Sequence, residues 1–105
     1  MLQWKQVQGF NYYVSDEGNV KNSQGKVLKP YNNGNGYLKV TLYKNGKKHR
    51  LFVHRLVGLA FVNGYESGLT IDHLDMNKQN NNASNLEWIS LEENVKRMHS
   101  HKSLA

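Results

Sequence analysis

Residues 69–94 read LTIDHLDMNKQNNNASNLEWISLEEN, and this stretch decides the fold. Leu69-Thr70-Ile71 is short, apolar and β-branched, which suits a strand, and Asp72-His73 stand at its end. Residues 75–84 are polar and rich in asparagine. Asparagine side chains close tight turns by bonding the nearby backbone, so an ordered loop is expected rather than low complexity. Leu86-Glu87-Trp88-Ile89 reads as a second strand, with Leu86 and Trp88 as core residues. Ser90 offers an N-cap hydroxyl, and Glu93 is its capping-box partner three residues on. A final helix therefore starts here and carries Asn94 in its first turns. Lys96, Arg97 and Lys102 fall late in it, where cations suit the helix dipole.

Upstream, Tyr37 to Lys44 alternates, with Leu38, Val40 and Leu42 on one side and Tyr37, Lys39, Thr41 and Tyr43 on the other. Asn45-Gly46 tolerates positive φ at both positions and predicts a two-residue hairpin turn, with Lys47 to Val53 as the return strand. Val53, Leu56, Val57, Ala60 and Phe61 follow helical spacing, and Asn63-Gly64 is expected to cap that helix. Residues 10–22 read as strand, turn and strand around Asp16-Glu17-Gly18-Asn19. Lys26 to Lys29 suggests another short strand stopped by Pro30, and residues 32–36 suggest a flexible loop.

A chain of 105 residues allows one domain, or a tight module with a small extension. No apolar run approaches the length of a membrane span, and the first residues lack a signal-peptide apolar region. The expected location is the cytoplasm of the cell that makes it. There is no cysteine, so disulfides, thiol nucleophiles and cysteine-type zinc sites are excluded. Any metal must take His, Asp, Glu, Asn or water. Such hard donors favour magnesium or manganese when oxygen dominates. The net charge is +6, and it is unevenly placed. Residues 1–70 hold ten Lys/Arg against three acids, whereas residues 71–105 hold four against five. A basic first part suits a polyanion such as nucleic acid, although the same charge also serves solubility.

The ordered set Ile71-Asp72-His73-Leu74-Asp75, Asn77-Lys78-Gln79-Asn80-Asn81, Asn85-Leu86-Glu87-Trp88 and Glu93-Asn94-Val95 resembles the HNH endonuclease family, in its phage- and intron-associated homing branch. Trp4-Lys5, Tyr13 to Gly18, the Gly36-Tyr37 hairpin and Val53 to Val57 resemble the modular extension that such nucleases carry upstream. Each piece alone is common; the ordered set carries the resemblance. It implies an α+β fold, in which a small antiparallel β extension with a hairpin precedes a ββα-metal unit. Residues 1–52 would form the DNA-contacting region and residues 53–105 the nuclease core, in one compact unit. The implied activity is metal-dependent hydrolysis of DNA phosphodiesters, one strand nicked per active site. The competing reading is a non-catalytic DNA-binding accessory protein.

The resemblance also distributes roles. His73 would be the general base, since an imidazole with an ordinary pKa near 6.5 takes a proton from water at neutral pH. Asp72 and Asn94 would hold one divalent cation, Mg2+ or Mn2+, through a carboxylate and an amide oxygen. Neighbouring strand residues point to opposite faces, which favours separate tasks for Asp72 and His73. Asn85, the family's middle asparagine, would fix the loop and steady His73 through the backbone of its neighbour, without touching the metal. Lys39, Lys44, Lys47, Lys48 and Arg50 on the hairpin, with Arg55 beyond it, would contact double-stranded DNA. A two-stranded ribbon can enter a major groove or track a backbone.

The remaining candidates read more plainly. His54 is expected to be structural, and His49 to face solvent or phosphate. Asp75 either supports the site or shapes the loop. His99 and His101 read as a solvated helix end, because Asn94 already fills the family's position. RNA binding ranks lower, because the strands lack a stacking pattern of aromatic residues. Homing nucleases of this branch usually continue into a C-terminal DNA-binding region, and none is read before Ala105. Weak, salt-sensitive and loosely specific binding is expected, by a monomer or a weak dimer.

Overall fold

The computed structural model describes residues 2–96. Three small antiparallel sheets surround one helix. The first sheet joins β1 (Trp4–Gln6), β2 (Tyr12–Ser15) and β3 (Val20–Asn22) in that order. The second joins β4 (Tyr31–Asn32), β5 (Leu38–Lys44) and β6 (Lys47–Phe52). Helix α1 (Val53–Phe61) follows without a break, and β7 (Leu69–His73) then pairs with β8 (Leu86–Ser90). A single turn of 3-10 helix, Ala83–Asn85, enters β8, and residues 91–96 are helical. This is the strand, loop, strand and helix order expected for residues 69–94.

The hairpin has the expected register, with Lys44 opposite Lys47 across a turn in which Asn45 has φ 52° and Gly46 φ 75°. Val40 and Leu42 are fully buried, while the alternate residues Lys39 and Thr41 are half-buried and Tyr43 is exposed. Helix α1 buries Val53, Leu56, Val57 and Gly58. One core takes Val14 and Val20 from the first sheet, Val40 and Leu42 from the second, and Ile71, Leu86 and Trp88 from the third. Helix α1 lies among all of them. It contacts the third sheet at Gly58, where a β-carbon would stand 2.6 Å from Ile71 Cδ1 and 2.9 Å from Trp88 Cζ2. Trp88 Nε1 donates to the Val62 carbonyl at 3.1 Å, which ties the helix end to β8.

Four local expectations change. The first strand, Trp4–Gln6, was not anticipated; it is short and largely exposed, and it exists by pairing with β2. Lys26 to Lys29 forms a single bridge, Lys21 with Val27, rather than a strand. Pro30 lacks an N–H, so pairing resumes only after it, at Tyr31–Asn32, inside the stretch expected to be loop. Asn32 Oδ1 accepts from the N–H groups of Gly34 and Gly36 at 2.8 and 3.1 Å, so the glycine-rich link to β5 is closed by its own asparagine. Finally, α1 ends at Val62 in extended backbone, its N–H on the Gly58 carbonyl. Gly64, at φ 97°, turns the chain two residues later and does not cap the helix.

Candidate active site

Strand β7 ends on Asp72 and His73, and its pairing fixes where each side chain goes. Ile71 faces Trp88 and His73 faces Leu86 on the core side; Asp72 faces Glu87 on the opposite side. Their burial alternates accordingly, with Ile71 and His73 buried and Asp72 half-buried. The two residues therefore present their groups to different faces of the hairpin. Ile89 lies on Asp72's side and is buried, yet it stands outside the main core cluster. Ser90 Oγ accepts from the Glu93 N–H at 3.1 Å and caps the helical residues 91–96, of which Asn94 alone is half-buried.

The His73 ring is 6% exposed and is held by contacts the sequence did not disclose. Its Nε2 lies 2.8 Å from Asn81 Oδ1, and Asn81 is itself 4% exposed. The rings of His54 and Tyr37 stand 5.2 and 5.9 Å from it, centroid to centroid. His54 also stacks on Phe52 at 5.0 Å. Burial, and then the charges of His73 and Arg55, push the His54 imidazole down to about 4, so it is neutral at neutral pH. Its Nδ1 is buried and finds no hydrogen-bond partner among the described residues.

The asparagine-rich loop is built by side-chain bonds. Asn85 Oδ1 accepts from the Asp75 N–H at 3.1 Å, and Asn85 Nδ2 donates to Asp75 Oδ1 and to the Asn80 carbonyl, each at 2.9 Å. The Asn85 carbonyl accepts from the N–H of Leu74, the residue after His73, at 2.8 Å. Asp75 shapes the same loop by accepting from the Asn77 N–H and Asn80 Nδ2. Hydrogen bonds from Asn80, Asn77 and Asn85 hold its carboxyl below the usual carboxylate range.

The hairpin divides its cations between two faces. Cross-strand partners share a face, so Lys39, Lys48 and Arg50 lie outward with Thr41, Tyr43 and Phe52. Lys44 and Lys47 belong to the core face at its open end, where Lys44 Nζ lies 5.4 Å from the Phe10 ring. His49 is also on the core face, opposite Leu42 and edge-on to Phe10 at 5.1 Å, and not turned to solvent as expected. The outward face leads into the site, since Lys39 covers Phe52 at 4.5 Å, and Phe52, His54 and His73 are in successive ring contact. Lys78 joins this side over Tyr37, at 4.7 Å. Arg55 instead lines a cavity of about 330 Å³ between the β1–β2 connection, β6 and α1, which none of the other candidate residues touches.

A cation would need oxygen donors here. Among the described residues, no three His, Cys, Asp or Glu side chains gather into a metal site. An amide oxygen and water would therefore complete any shell around Asp72. Asp72 and Glu87 stand opposite one another in the register, so two carboxylates, which are hard oxygen donors, share that face. The donor set thus fits a hard divalent ion. His99 and His101 lie outside the described residues.

Residues 51–96 match the HNH endonuclease family, and residues 3–43 match the NUMOD4 motif. The chain thus carries an HNH endonuclease domain behind a NUMOD4 motif. It is 41% identical over 98% of its length to DNA endonuclease I-HmuI of Bacillus phage SP01, and spans 61% of that protein. It is 42% identical over 90% of its length to an uncharacterized HNH endonuclease of Acanthamoeba polyphaga mimivirus, of which it spans 29%. A solved structure of the HNH homing endonuclease I-HmuI, described as concerning DNA binding and cleavage, superposes with a TM-score of 0.90 at 40% identity. It covers 98% of this chain, while this chain covers 61% of it. The HNH segment thus takes in β7, β8 and the residues between them, and the NUMOD4 segment takes in β1 to most of β5.

Proposed function

We propose that the chain is a metal-dependent HNH endonuclease that hydrolyses DNA phosphodiesters and nicks one strand per active site. The observation that carries this reading is the setting of His73. A buried imidazole, at the end of the strand that bears Asp72, has its Nε2 tied to an amide oxygen. His73 takes the proton of an attacking water; the water oxygen bonds to phosphorus and the sugar oxygen leaves. Asp72 and Asn94 would hold one divalent cation, Mg2+ or Mn2+, which would supply charge stabilisation to the reaction. Asn85 keeps the loop closed behind His73 through Asp75, Asn80 and the Leu74 N–H.

Double-stranded DNA lies, in this reading, across the outward hairpin face of Lys39, Lys48 and Arg50, which continues to His73 through Phe52 and His54. Lys44, Lys47 and Arg55 serve flanking phosphates. The protein works as a monomer or weak dimer in the cytoplasm of a bacterial or phage-infected cell. The competing reading, a DNA-binding accessory protein without catalysis, rests on the same basic hairpin. Nicking of supercoiled plasmid with Mg2+ or Mn2+, stopped by EDTA, separates the two; binding with no cleavage under any divalent ion would favour the accessory protein.

A further inference from the structure

The β2–β3 turn touches the site from the other end of the chain. Ser15 is completely buried, and its Oγ accepts from the N–H groups of Glu17 and Asn19 at 3.3 and 3.0 Å. Ser15 N–H donates to the Asn19 carbonyl, and Gly18 N–H to the Ser15 carbonyl. The turn is therefore tied internally at four points. It is also docked on the asparagine-rich loop. Ala83 N–H donates to the Asp16 carbonyl at 2.8 Å. Gly18, at φ 89°, lies so close that a β-carbon there would stand 3.0 Å from both Asn81 Cβ and the Asn81 carbonyl oxygen. Only glycine combines that backbone angle with that approach. Asn81 is thus seated against the turn on one side. Its neighbour Asn80 is held by Asp75 and Asn85 on the other.

We propose that the β2–β3 turn is part of the catalytic apparatus: it seats Asn81, and Asn81 holds His73 with its proton on Nε2, leaving Nδ1 as the base. This rests on the reading of His73 as the base. The 2.8 Å contact joins Nε2 to the amide oxygen, which only accepts, so the ring must donate there. Fixing the partner of one ring nitrogen selects the tautomer and the ring plane together. Asn81 is a positioning residue and touches no substrate. The upstream motif then has a second task beside DNA contact, because it builds the wall that sets the imidazole.

The test reads the tautomer by 15N NMR of histidine-labelled full-length protein, with the His73 signals assigned by their loss in His73→Ala. The wild type is expected to show Nε2–H. Asn81→Ala should abolish that preference and slow plasmid nicking about tenfold to a hundredfold, with plasmid affinity kept. Asn81→Asp, which retains an acceptor oxygen, should keep Nε2–H and recover most of the rate. Gly18→Ala should follow Asn81→Ala. Ser15→Ala, which loosens the same turn without backbone strain, provides the answer if Gly18→Ala fails to fold. Nδ1–H in the wild type, or turn variants with wild-type tautomer and nicking, would overturn the proposal. A wild type that never cuts DNA but shows Nε2–H would instead overturn the endonuclease reading, so the two failures are told apart.

Discussion

At the scale of single residues, the site places two histidines side by side with opposite demands. In the proposed reaction His73 takes up a proton, whereas His54 resists one. Burial pushes His54 from 6.5 to about 4, and the charges on His73 and Arg55 add to this. The sign follows from proton counting. Between pH 6.5 and 4 the unfolded chain binds a proton at His54 that the folded chain refuses, so stability falls as pH drops through that window and the term vanishes above it. The loss should approach about 3 kcal/mol near its lower end. His54→Phe should flatten this part of a urea-midpoint versus pH curve, leaving the rest unchanged. Asn81 shows where reading a sequence stops at this scale. Asp72, His73, Asn85 and Asn94 were singled out because the ordered set around them resembles a family motif. Asn81 is one of three successive asparagines, and nothing in that run says which amide meets the imidazole.

Among the elements, alternation revealed the β5–β6 hairpin and helical spacing revealed α1, since each buries one face at a fixed period, while short apolar runs marked β7 and β8. Elements without a buried stripe were not legible. Strand β1 and the two-residue β4 depend on partners from other parts of the chain. The packing of α1 on the third sheet was equally invisible, because it turns on the absence of a side chain at Gly58. Gly58→Ala should destabilise the fold by about 1–2 kcal/mol, the overpacking against Ile71 and Trp88 outweighing a helix-propensity gain of about 1 kcal/mol. A chemical denaturation midpoint checks this. On the hairpin, the division of cations makes a separate prediction. Lys39→Ala, Lys48→Ala and Arg50→Ala should each weaken duplex binding evenly across sequences and reduce the salt slope by about 1. Lys47→Ala, at the turn end of the core face, should do less. Filter binding over a salt series distinguishes the two groups.

Over the whole molecule, the charge asymmetry takes a spatial meaning. The basic first part supplies the outward ribbon, and the more acidic last part supplies Asp72 on β7 and the loop behind His73. A single core joins the two, so the upstream motif and the nuclease motif are packed against each other through α1. Composition suggested a polyanion partner, and the resemblance suggested the site residues. The docking of the β2–β3 turn on the loop needed the fold, because the residues involved lie more than sixty positions apart. The most direct test of the account is a plasmid-nicking assay with the wild type and His73→Ala side by side in Mg2+ and Mn2+. The wild type should convert supercoiled plasmid to the open circle and stop in EDTA, and His73→Ala should be slower by about 10²–10⁴-fold while still binding DNA. Cleavage by His73→Ala at the wild-type rate would contradict it.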